Sequence, residues 1–403
     1  MIRCFAIGLA LLSGLGCFAS AAAAQTQVRV LVATHLAQAV FAAAGGLVVR
    51  PYEAGAEPLL TPEVTTVIDV RPQSSGLLLA GSVQTPAELL ISPLVGSTLT
   101  LDGLPYRGSM LIVRERDAAL RVINLVDLEK YLYSVVGSEV SADTPPAALQ
   151  AQAIVARTYA VARLGSHEDL GFDLHAGDLD QAYNGVSAES ESVVDAVDAT
   201  HGVVMVWGNH LVNAYYSACD GGFTSEGGEL RDPEPYLQAV RDPYCPFSPY
   251  MAWTADVPAQ PLVDQLAAAG AVPKGLAAGS LIDVRPGAAD DSGRLVTVSL
   301  VTRDRIVSVP ATTFRSAAGT RIVKSTRIQS LSYGGGVIHV TGSGYGHGVG
   351  MCQLGARGMA QDGLGVYAII NFYYPGVLLT QLASYQRYLL AHHHDLRVAS
   401  RPK

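Results

Sequence analysis

Two segments that lie far apart in the chain constrain its fold more than any other feature. The first is VVGSEV (135–140), which carries Glu139 just before the alanine-rich run PPAALQAQAIVARTYAVARLG (145–165). The second is GSGYGHGVGMCQLGARGMAQDG (342–363), a glycine-dense loop with one histidine. The first offers a carboxyl group near the start of a helix, and the second offers backbone with few side chains. We therefore predict that the fold joins both segments in a single site.

Length and composition allow a sizeable core. The chain has 403 residues, of which 49% are hydrophobic and 15% are charged. That is enough for one large domain or two ordinary ones. The formal net charge of -8 disfavours a nucleic-acid partner, because such a partner requires a basic surface.

The N-terminus is typical of a secretory signal over residues 1–24. Arg3 precedes a short apolar core, and three alanines precede Gln25. The apolar core is shorter than the ~18 residues that a spanning helix needs. Cys17 leaves a lipoprotein signal open, although Gly14 stands where leucine would be expected. We expect a mature chain without a membrane span that is secreted, in the periplasm or cell envelope.

Three cysteines remain once the signal is removed: Cys219, Cys245 and Cys352. In an oxidising compartment, a bridge between Cys219 and Cys245 would leave Cys352 free. The alternative is three buried thiols.

The order of local signals predicts an α+β fold, in which a β-rich N-terminal region packs on a mixed helix and strand domain with a cleft. Short apolar runs separated by glycine or proline indicate the β-rich region over 25–125. The mixed catalytic domain is predicted over 126–380 and a tail over 381–403. The histidine run 392–394 in this tail is either a metal ligand set or a solvated end. Strands are predicted at 28–33, 76–82, 99–103, 106–113, 120–126, 294–301, 305–309 and 337–344, and helices at 261–270, 353–362 and 366–373.

Apolar residues at helical spacing predict a helix that approaches Glu139 from 125–135. Gly137 is expected to end this helix and to leave Glu139 in a loop. Asp143 or Thr144 is expected to cap the next helix, which runs to about residue 163. Further along, Gly208-Asn209 predicts a β-hairpin turn.

Two opposed effects act on the Glu139 carboxyl group. Helix amides favour its ionised form, whereas burial favours its protonated form. Its neighbours Val136 and Val140 favour burial, and a buried Glu139 would serve as a general acid near neutral pH. An exposed surface glutamate is the alternative.

Several other side chains are candidates for a cleft. Gln152 and Tyr159 share one face of the 145–163 helix, and Arg157 lies on another. Tyr216 and its neighbour Tyr215 point to opposite sides of a strand, so at most one of them lines a cleft. Core packing is the alternative for each.

His347 stands in a segment with five glycines among thirteen residues, 344–356. A histidine so little covered is suited to act as an acid, a base or a hydrogen-bond donor. The glycine spacing is not a dinucleotide fingerprint, and a phosphate loop would need a lysine. His347 with Cys352 leaves a thiol nucleophile open.

With these segments the chain resembles the SpoIID/LytB family. The resemblance runs from about Val28 to Leu379. In family order, it is carried by LEKYLYSVVGSEV, ALQAQAIVARTYA, DQAYNGV, AVDATHGVVMVWGNHLVNAYYSACDGGFTSE, PYLQAVRDPYC, GYGHGVGMCQLGARGMA and NFYYPGV. It implies a peptidoglycan lytic transglycosylase that acts on glycan strands denuded of stem peptides. The bond between N-acetylmuramic acid and N-acetylglucosamine would be cleaved with Glu139 as acid and then base. Ordinary glycosidases use two carboxylates, but attack by the muramyl C6 hydroxyl on C1 of its own sugar removes the need for the second.

The resemblance implies one catalytic residue, Glu139, and a set of substrate-binding residues: Gln152, Arg157, Tyr183, Tyr216, His347 and Gln353. The implied partners are peptidoglycan glycan strands and a cell-wall amidase. A non-catalytic glycan-binding activator of that amidase, using the same cleft, is the alternative, and a thiol hydrolase is a third hypothesis.

No cofactor and no metal are expected. Some family members carry a zinc site near the DQAYNGV position, where this chain offers His175 and acids but no cysteine. The family often has serine at the position of Cys352. That exchange favours a small packed side chain over a nucleophile.

Overall fold

The structure, a computed structural model, describes residues 26–60, 67–94, 98–227 and 234–391. The predicted signal segment and the histidine run 392–394 lie outside the described residues. The described chain has eleven strands before its first helix and a mixture of helices and strands after it, and the strands form several separate sheets, so the predicted α+β class is confirmed. None of the described helices is both long and apolar enough to cross a membrane.

The N-terminal part consists of strands whose buried side chains alternate with more exposed ones, as the two-residue period of a strand requires. Both of its sheets supply side chains to one hydrophobic core, for example Phe41 and Leu89. The strands are β1 (Gln27–Leu36), β2 (Ala39–Ala42), β3 (Leu47–Pro51), β4 (Val67–Pro72), β5 (Leu77–Leu79), β6 (Val83–Thr85), β7 (Glu88–Pro93), β8 (Leu99–Leu101), β9 (Leu104–Tyr106), β10 (Ser109–Arg114) and β11 (Leu120–Asp127).

These strands form two six-stranded sheets. One has the order β6-β5-β4-β2-β8-β9. The other contains β1, β11, β10, β7 and β3 in that order, with a later strand, β12 (Leu174–His175), pairing in parallel beside β1. The last N-terminal strand, β11, leads directly into the first helix, so the β-rich part anchors the start of the site.

The helical layer follows this sheet. It contains α1 (Leu128–Glu139), α2 (Pro146–Ala162), α3 (Glu191–Ala199) and the strands β13 (Val203–Trp207), β14 (His210–Leu211) and β15 (Tyr216–Ser217). The alanine-rich helix α2 packs against α1, α3 and β13. The predicted hairpin turn at Gly208-Asn209 is confirmed, because Trp207 pairs with His210 across it.

Two predictions about helix ends are wrong. Gly137 does not end α1, which continues to Glu139, so Glu139 is the last residue of a helix instead of a loop residue. Neither Asp143 nor Thr144 caps α2, whose N-cap is Pro145. A proline in the first turn lacks an N–H group, so α2 has one fewer donor for a cap to satisfy.

Gly137 is required by packing. A Cβ atom at this position would lie 2.0 Å from the backbone oxygen of Ala188. We therefore expect Gly137→Ala to destabilise the fold by about 1–3 kcal/mol, although alanine is the better helix former. Urea unfolding followed by circular dichroism measures this. Gly279→Ala is the control, because no atom lies within 4 Å of a Cβ built there; equal stability of the two variants would contradict the packing argument.

Residues 253–342 form a unit with a hydrophobic core of its own, built around side chains such as Leu266, Val284 and Phe314. Its elements are β16 (Trp253–Pro258), α4 (Ala259–Ala268), β17 (Leu281–Pro286), β18 (Thr297–Thr302), β19 (Ile306–Pro310), α5 (Ala311–Ala318), β20 (Ile328–Gly334) and β21 (Val337–Gly342). They form two three-stranded sheets, β16-β21-β20 and β17-β18-β19. The chain leaves the helical layer through this unit and returns to it in the glycine loop.

The C-terminal part contains β22 (Met351–Cys352), α6 (Gln353–Gln361), α7 (Val366–Tyr373), β23 (Leu378–Gln381) and α8 (Leu382–Ala391). β22 pairs in parallel with β15, so Tyr216 lies opposite Met351 and Ser217 opposite Cys352. α6 and α7 both pack on α2. This pairing brings the glycine loop against the end of α1.

Candidate active site

Glu139 is half-buried at the end of α1, and three segments of the chain hold its carboxylate. Oε1 accepts hydrogen bonds from the backbone N–H of Ala182 at 2.8 Å and from the hydroxyl group of Tyr216 at 3.2 Å. Oε2 accepts one from Nε2 of Gln353 at 3.3 Å. Gln353 begins the helix after the glycine loop, so the two distant sequence segments do meet at this carboxyl group.

Burial raises the pKa of Glu139 above the ordinary glutamate value. The hydrogen bonds from Ala182, Gln353 and Tyr216 act in the opposite direction, and the charge of Asp178 adds to the increase. Desolvation is the largest of these effects. The carboxyl group therefore keeps its proton to a higher pH than an exposed glutamate, which a general acid requires.

A groove of about 200 Å³ opens beside this carboxyl group. Among its described lining residues, Glu139 is the single carboxylate, and the remainder combine an aromatic ring, hydroxyl groups, an amide and a guanidinium group. They are Val140, Ser141, Thr144, Ala218, Tyr250, Gln353, Leu354 and Arg357. The ring of Tyr250 packs edge-on against Tyr345, with centroids 4.9 Å apart. Sites for small ligands usually combine an apolar wall with a few polar groups, as this groove does.

The guanidinium group of Arg357 forms a bidentate pair with Asp143 at the edge of this groove. The two nitrogen–oxygen distances are 2.8 and 3.3 Å, and the Asp143 side chain is exposed. The hydrogen bonds to Arg357 lower the pKa of Asp143. The groove rim therefore carries a fixed cation and an ionised acid, while the buried acid is Glu139.

Behind the groove, a chain of hydrogen bonds sets the orientation of the Tyr216 hydroxyl group. It accepts from Nε2 of Gln181 at 2.9 Å, and Oε1 of Gln181 accepts from the hydroxyl group of Tyr131 at 3.1 Å. Burial raises the pKa of Tyr216 well above its ordinary value. Tyr216 thus stays protonated and donates to Glu139.

Gln152 is connected to Glu139 through Gln353. Its Oε1 is 3.5 Å from Nε2 of Gln353. Its own Nε2 is buried and has no hydrogen-bond partner among the described residues. A buried amide donor without a partner is uncommon in proteins, and this one is next to the residue that contacts the acid.

Of the predicted substrate-binding set, Gln353 alone belongs to the described lining of the groove. Two others are buried in the core without a contact to Glu139. Arg157 is fully buried, with Nε 2.9 Å from Oε1 of Glu129 and Nη2 2.6 Å from Oε2. Tyr183 is buried as well, and its hydroxyl group donates to Oδ1 of Asn124 at 2.5 Å. Both make structural contacts: Arg157 pairs with α1 from a face of α2 other than that of Gln152, and Tyr183 packs against β11.

His347 lies beside Tyr216 and does not line the groove. Its Nδ1 accepts from the N–H of Val349 at 3.0 Å, and its ring hydrogen-bonds the Tyr216 backbone. Burial, together with the charges of Arg294 and Arg315, lowers the pKa of His347 to about 4. The imidazole is therefore neutral near pH 7 and braces the strand that carries Tyr216.

Sequence reasoning missed several residues of the site. The N–H of Ala182 and the amide of Gln181 belong to the DQAYNGV segment, and Tyr250 and Arg357 line the groove. For Gln181 and Ala182, the one indication in the sequence was that DQAYNGV lies between the two segments predicted to form the site. Nothing in the local pattern around Tyr250 marks it as a groove residue.

The predicted bridge between Cys219 and Cys245 is absent. Their Sγ atoms are 4.0 Å apart, whereas a disulfide requires about 2.05 Å. All three thiols are free and buried, which is the alternative that the sequence left open. Burial raises the pKa of Cys352 well above the thiol value, and this residue is 1% exposed, so its environment disfavours a nucleophile.

Among the described residues, three groups of side chains are arranged as metal ligands would be, and one of them, His35, Glu115 and Asp117, lies at the surface. His167, His175 and Asp180 lie near the DQAYNGV segment, and Nδ1 of His175 is 3.0 Å from Oδ2 of Asp180. The third group, Cys219, Asp220, Cys245 and Cys352, is fully buried.

The raised pKa of Glu139 predicts a pH-dependent cost to stability. The folded chain binds the Glu139 proton more tightly than the unfolded chain does. Below the unfolded pKa, both states are protonated and the group does not affect stability. As pH rises through the folded pKa, the buried carboxyl group must ionise, and the folded state loses stability. We expect Glu139→Gln, which is neutral at every pH, to unfold at a higher temperature than the parent at pH 8 and at the same temperature at pH 3. Calorimetry at the two pH values measures the difference. A gain of equal size at both would contradict this origin.

Comparisons with known proteins found similar sequences. A family model described as "Stage II sporulation protein" (SpoIID) matches residues 116–207, which contain α1, α2 and α3. An uncharacterized protein of Brachyspira hyodysenteriae (strain ATCC 49526 / WA1) is 34% identical over 282 residues, covering 69% of this chain and 73% of that protein.

Two relatives from Bacillus subtilis (strain 168) are also similar. The amidase enhancer is 27% identical over 299 residues, covering 62% of this chain and 40% of its own length. Stage II sporulation protein D is 26% identical over 276 residues, covering 64% of this chain and 75% of its own length. The amidase enhancer therefore has more than half of its length outside the match.

Proposed function

This chain belongs to the SpoIID/LytB family, and we propose that it acts on the bacterial cell wall as a lytic transglycosylase. The proposed substrate is a peptidoglycan glycan strand without stem peptides, and the proposed target is the bond between N-acetylmuramic acid and N-acetylglucosamine. One observation carries this proposal. The single carboxyl group that lines the groove over the described residues, Glu139, is half-buried, has a raised pKa and receives hydrogen bonds from three segments.

In the proposed mechanism, protonated Glu139 gives its proton to the glycosidic oxygen while the bond from that oxygen to C1 of the muramyl sugar breaks. The C6 hydroxyl group of the same sugar attacks C1 and forms the 1,6-anhydro ring. Its proton passes to the Glu139 carboxylate, so the acid is restored and the other sugar leaves with a free hydroxyl group. The donors Ala182, Tyr216 and Gln353 stabilise the carboxylate while it is ionised.

The groove walls support a sugar ligand. The ring of Tyr250 offers an apolar surface for a pyranose ring, and the amide of Gln353 offers hydrogen bonds to its polar substituents. We propose Tyr250 and Gln353 as the residues nearest the substrate, with Gln152 and Tyr216 behind them in contact with Gln353 and Glu139. His347 is proposed to position Tyr216.

We also propose a cellular location and a domain organisation for this activity. The mature chain would act in the periplasm or cell envelope after removal of residues 1–24. Within it, residues 25–125 would form the β-rich region and residues 126–380 the catalytic domain. The β-rich region either recruits the chain to the wall or supports α1 structurally.

A second candidate function is non-catalytic activation of a cell-wall amidase. The similarity to the amidase enhancer of Bacillus subtilis favours it. In this case the groove binds the glycan, and Glu139 only hydrogen-bonds the sugar.

One assay separates the candidates. The purified mature chain is incubated with denuded glycan strands and, in parallel, with strands that keep their stem peptides, and mass spectrometry identifies the products. Anhydro-ended fragments from denuded strands would support the transglycosylase. Intact strands that bind the protein, together with stimulation of an added amidase, would favour the activator. Loss of cleavage after alkylation of Cys352 would instead support the thiol hydrolase.

A further inference from the structure

Three cysteines and an aspartate from distant parts of the chain converge beneath the groove. The Cys₃Asp cluster consists of Cys219, Asp220, Cys245 and Cys352. One ligand atom from each lies within 4.8 Å of all the others. Every member is buried, with Cys352 the most exposed at 1%. The cluster is shielded from water, and none of its members lines the groove.

The spacing of these atoms fits a bound ion. Tetrahedral zinc, with zinc–sulfur bonds of about 2.3 Å and zinc–oxygen bonds of about 2.0 Å, places two sulfurs about 3.8 Å apart and a sulfur and an oxygen about 3.5 Å apart. Here, Sγ of Cys219 and Sγ of Cys245 are 4.0 Å apart, and Oδ1 of Asp220 is 3.4 Å from Sγ of Cys245. Four converging protein ligands leave no open position, which is the arrangement of structural zinc sites.

The surroundings of the cluster favour anionic ligands. Sγ of Cys352 accepts from the N–H groups of Asp220 at 3.4 Å and Gly355 at 3.2 Å, and Ser248 donates to Sγ of Cys219 at 3.2 Å. Donors of this kind around the sulfurs are typical of the outer shell of metal sites.

Asp220 supplies a second, independent observation. Its Oδ1 accepts from the N–H of Gly222 at 2.8 Å, but its Oδ2 is buried and has no hydrogen-bond partner within the described part of the chain. A buried carboxylate oxygen without a partner is costly, and a cation beside it removes this cost. The buried Arg294 donates to the backbone oxygen of Asp220 at 2.6 Å and places a positive charge next to the four ligands.

We propose that the Cys₃Asp cluster binds a thiophilic divalent cation, with zinc as the best fit. This departs from the expectation of no metal, and it involves a different segment from the one in which family members carry zinc. The ion would fasten three loops under the groove. Cys352 caps α6 directly before Gln353, the chain from Cys245 leads to Tyr250, and Cys219 pairs with Tyr345. The site would therefore hold the groove wall in place without touching the substrate.

The test uses the full mature chain, exported by its signal and purified without chelators, with the histidine run 392–394 replaced by alanine. We expect about one zinc per chain by mass spectrometry of the metal. Reconstitution with cobalt is expected to give the visible bands of a tetrahedral thiolate complex. After denaturation with a chelator and without reductant, all three thiols should react with a thiol reagent. Cys245→Ser should lower the bound zinc at least tenfold.

The matched control is the double variant His167→Ala, His175→Ala. It removes a second group of candidate ligands, the one near the DQAYNGV segment, and should keep the zinc and the cobalt bands. Loss of zinc in this control, with full retention in Cys245→Ser, would overturn the proposal. A Cys219–Cys245 disulfide in the exported protein, seen by peptide mapping as one reactive thiol, would do so too. If Cys245→Ser does not fold, the parent protein alone tests the proposal. Tetrahedral cobalt bands and three reactive thiols would support it, and the absence of these bands or a single reactive thiol would contradict it.

Discussion

Glu139→Gln is expected to lower cleavage of denuded glycan strands by about 10²–10⁴-fold, the usual contribution of a general acid. Glutamine keeps the size of the side chain and can still accept from Ala182 and Tyr216, so the groove should keep its shape. It has no acidic proton for the glycosidic oxygen, and among the described groove residues no other carboxyl group is available to replace it. The rate of formation of anhydro-ended fragments, followed by mass spectrometry, measures the effect.

Glu191→Gln is the control for this substitution. Glu191 is exposed in the first turn of α3, so its loss should leave the cleavage rate within about twofold and the fold intact. Circular dichroism must show that both variants are folded. Cleavage by Glu139→Gln within tenfold of the parent would rule out Glu139 as the acid. Failure of the parent to cleave at all, with unimpaired glycan binding, would instead favour the amidase activator.

Local patterns were sufficient for several parts of the fold. The turn at Gly208-Asn209 and the helices around 261–270, 353–362 and 366–373 all appear close to the predicted positions. In each case, a few neighbouring residues decide the conformation. Gly137 shows where such patterns fail. Glycine is required at this position because the backbone of Ala188, fifty-one positions later, leaves no space for a side chain. No local pattern distinguishes this packing requirement from the end of a helix.

The sequence predicted which two segments form the site but not which side chains line the groove. The contact between Gln353 and Glu139 joins the two segments that the sequence singled out. Which side chains then face the groove depends on how β15 pairs with β22, a register that neither strand determines alone. Tyr250 lies outside the recognised segments, and Ala182 lies in one of them but contributes only its backbone N–H, which no side-chain pattern can mark. The Cys₃Asp cluster is similarly non-local, because its members come from three loops that the unit at 253–342 separates and then reunites.

Arg157 illustrates how composition alone misplaces a charged residue. Arg157 on the alanine-rich helix was predicted to bind substrate, with core packing left open as the alternative. Here the bidentate pair with Glu129 makes burial possible, and Nη1 and Nη2 also donate to the backbone oxygens of Val203 and Val197 at 3.2 and 3.3 Å. Glu129 in turn accepts from the N–H of Gly202 at 3.0 Å. The pair therefore ties α1, α2 and α3 to the start of β13.

Arg157→Met is expected to lower the free energy of unfolding by about 3–5 kcal/mol, because it leaves the buried Glu129 carboxylate without its partner. Urea unfolding followed by circular dichroism measures this loss. Adding Glu129→Leu should recover much of it, since removal of both charges ends the uncompensated burial. The control is Arg285→Met in the exposed pair with Asp283, where the side chains are 63% and 35% exposed; its cost should stay below about 1 kcal/mol.

Activity measurements on the same variants separate the structural role of Arg157 from the contact with substrate that the sequence suggested. The double variant Arg157→Met, Glu129→Leu should cleave glycan at a rate per folded molecule close to that of the parent, because neither side chain lines the groove. Unchanged unfolding free energy in Arg157→Met, combined with a large loss of glycan affinity, would reverse this assignment and place the arginine at the substrate. The prediction thus rests on a contrast within α2. Gln152 contacts Gln353, which hydrogen-bonds the acid, while Arg157, little more than one helical turn later, pairs with Glu129 in the core.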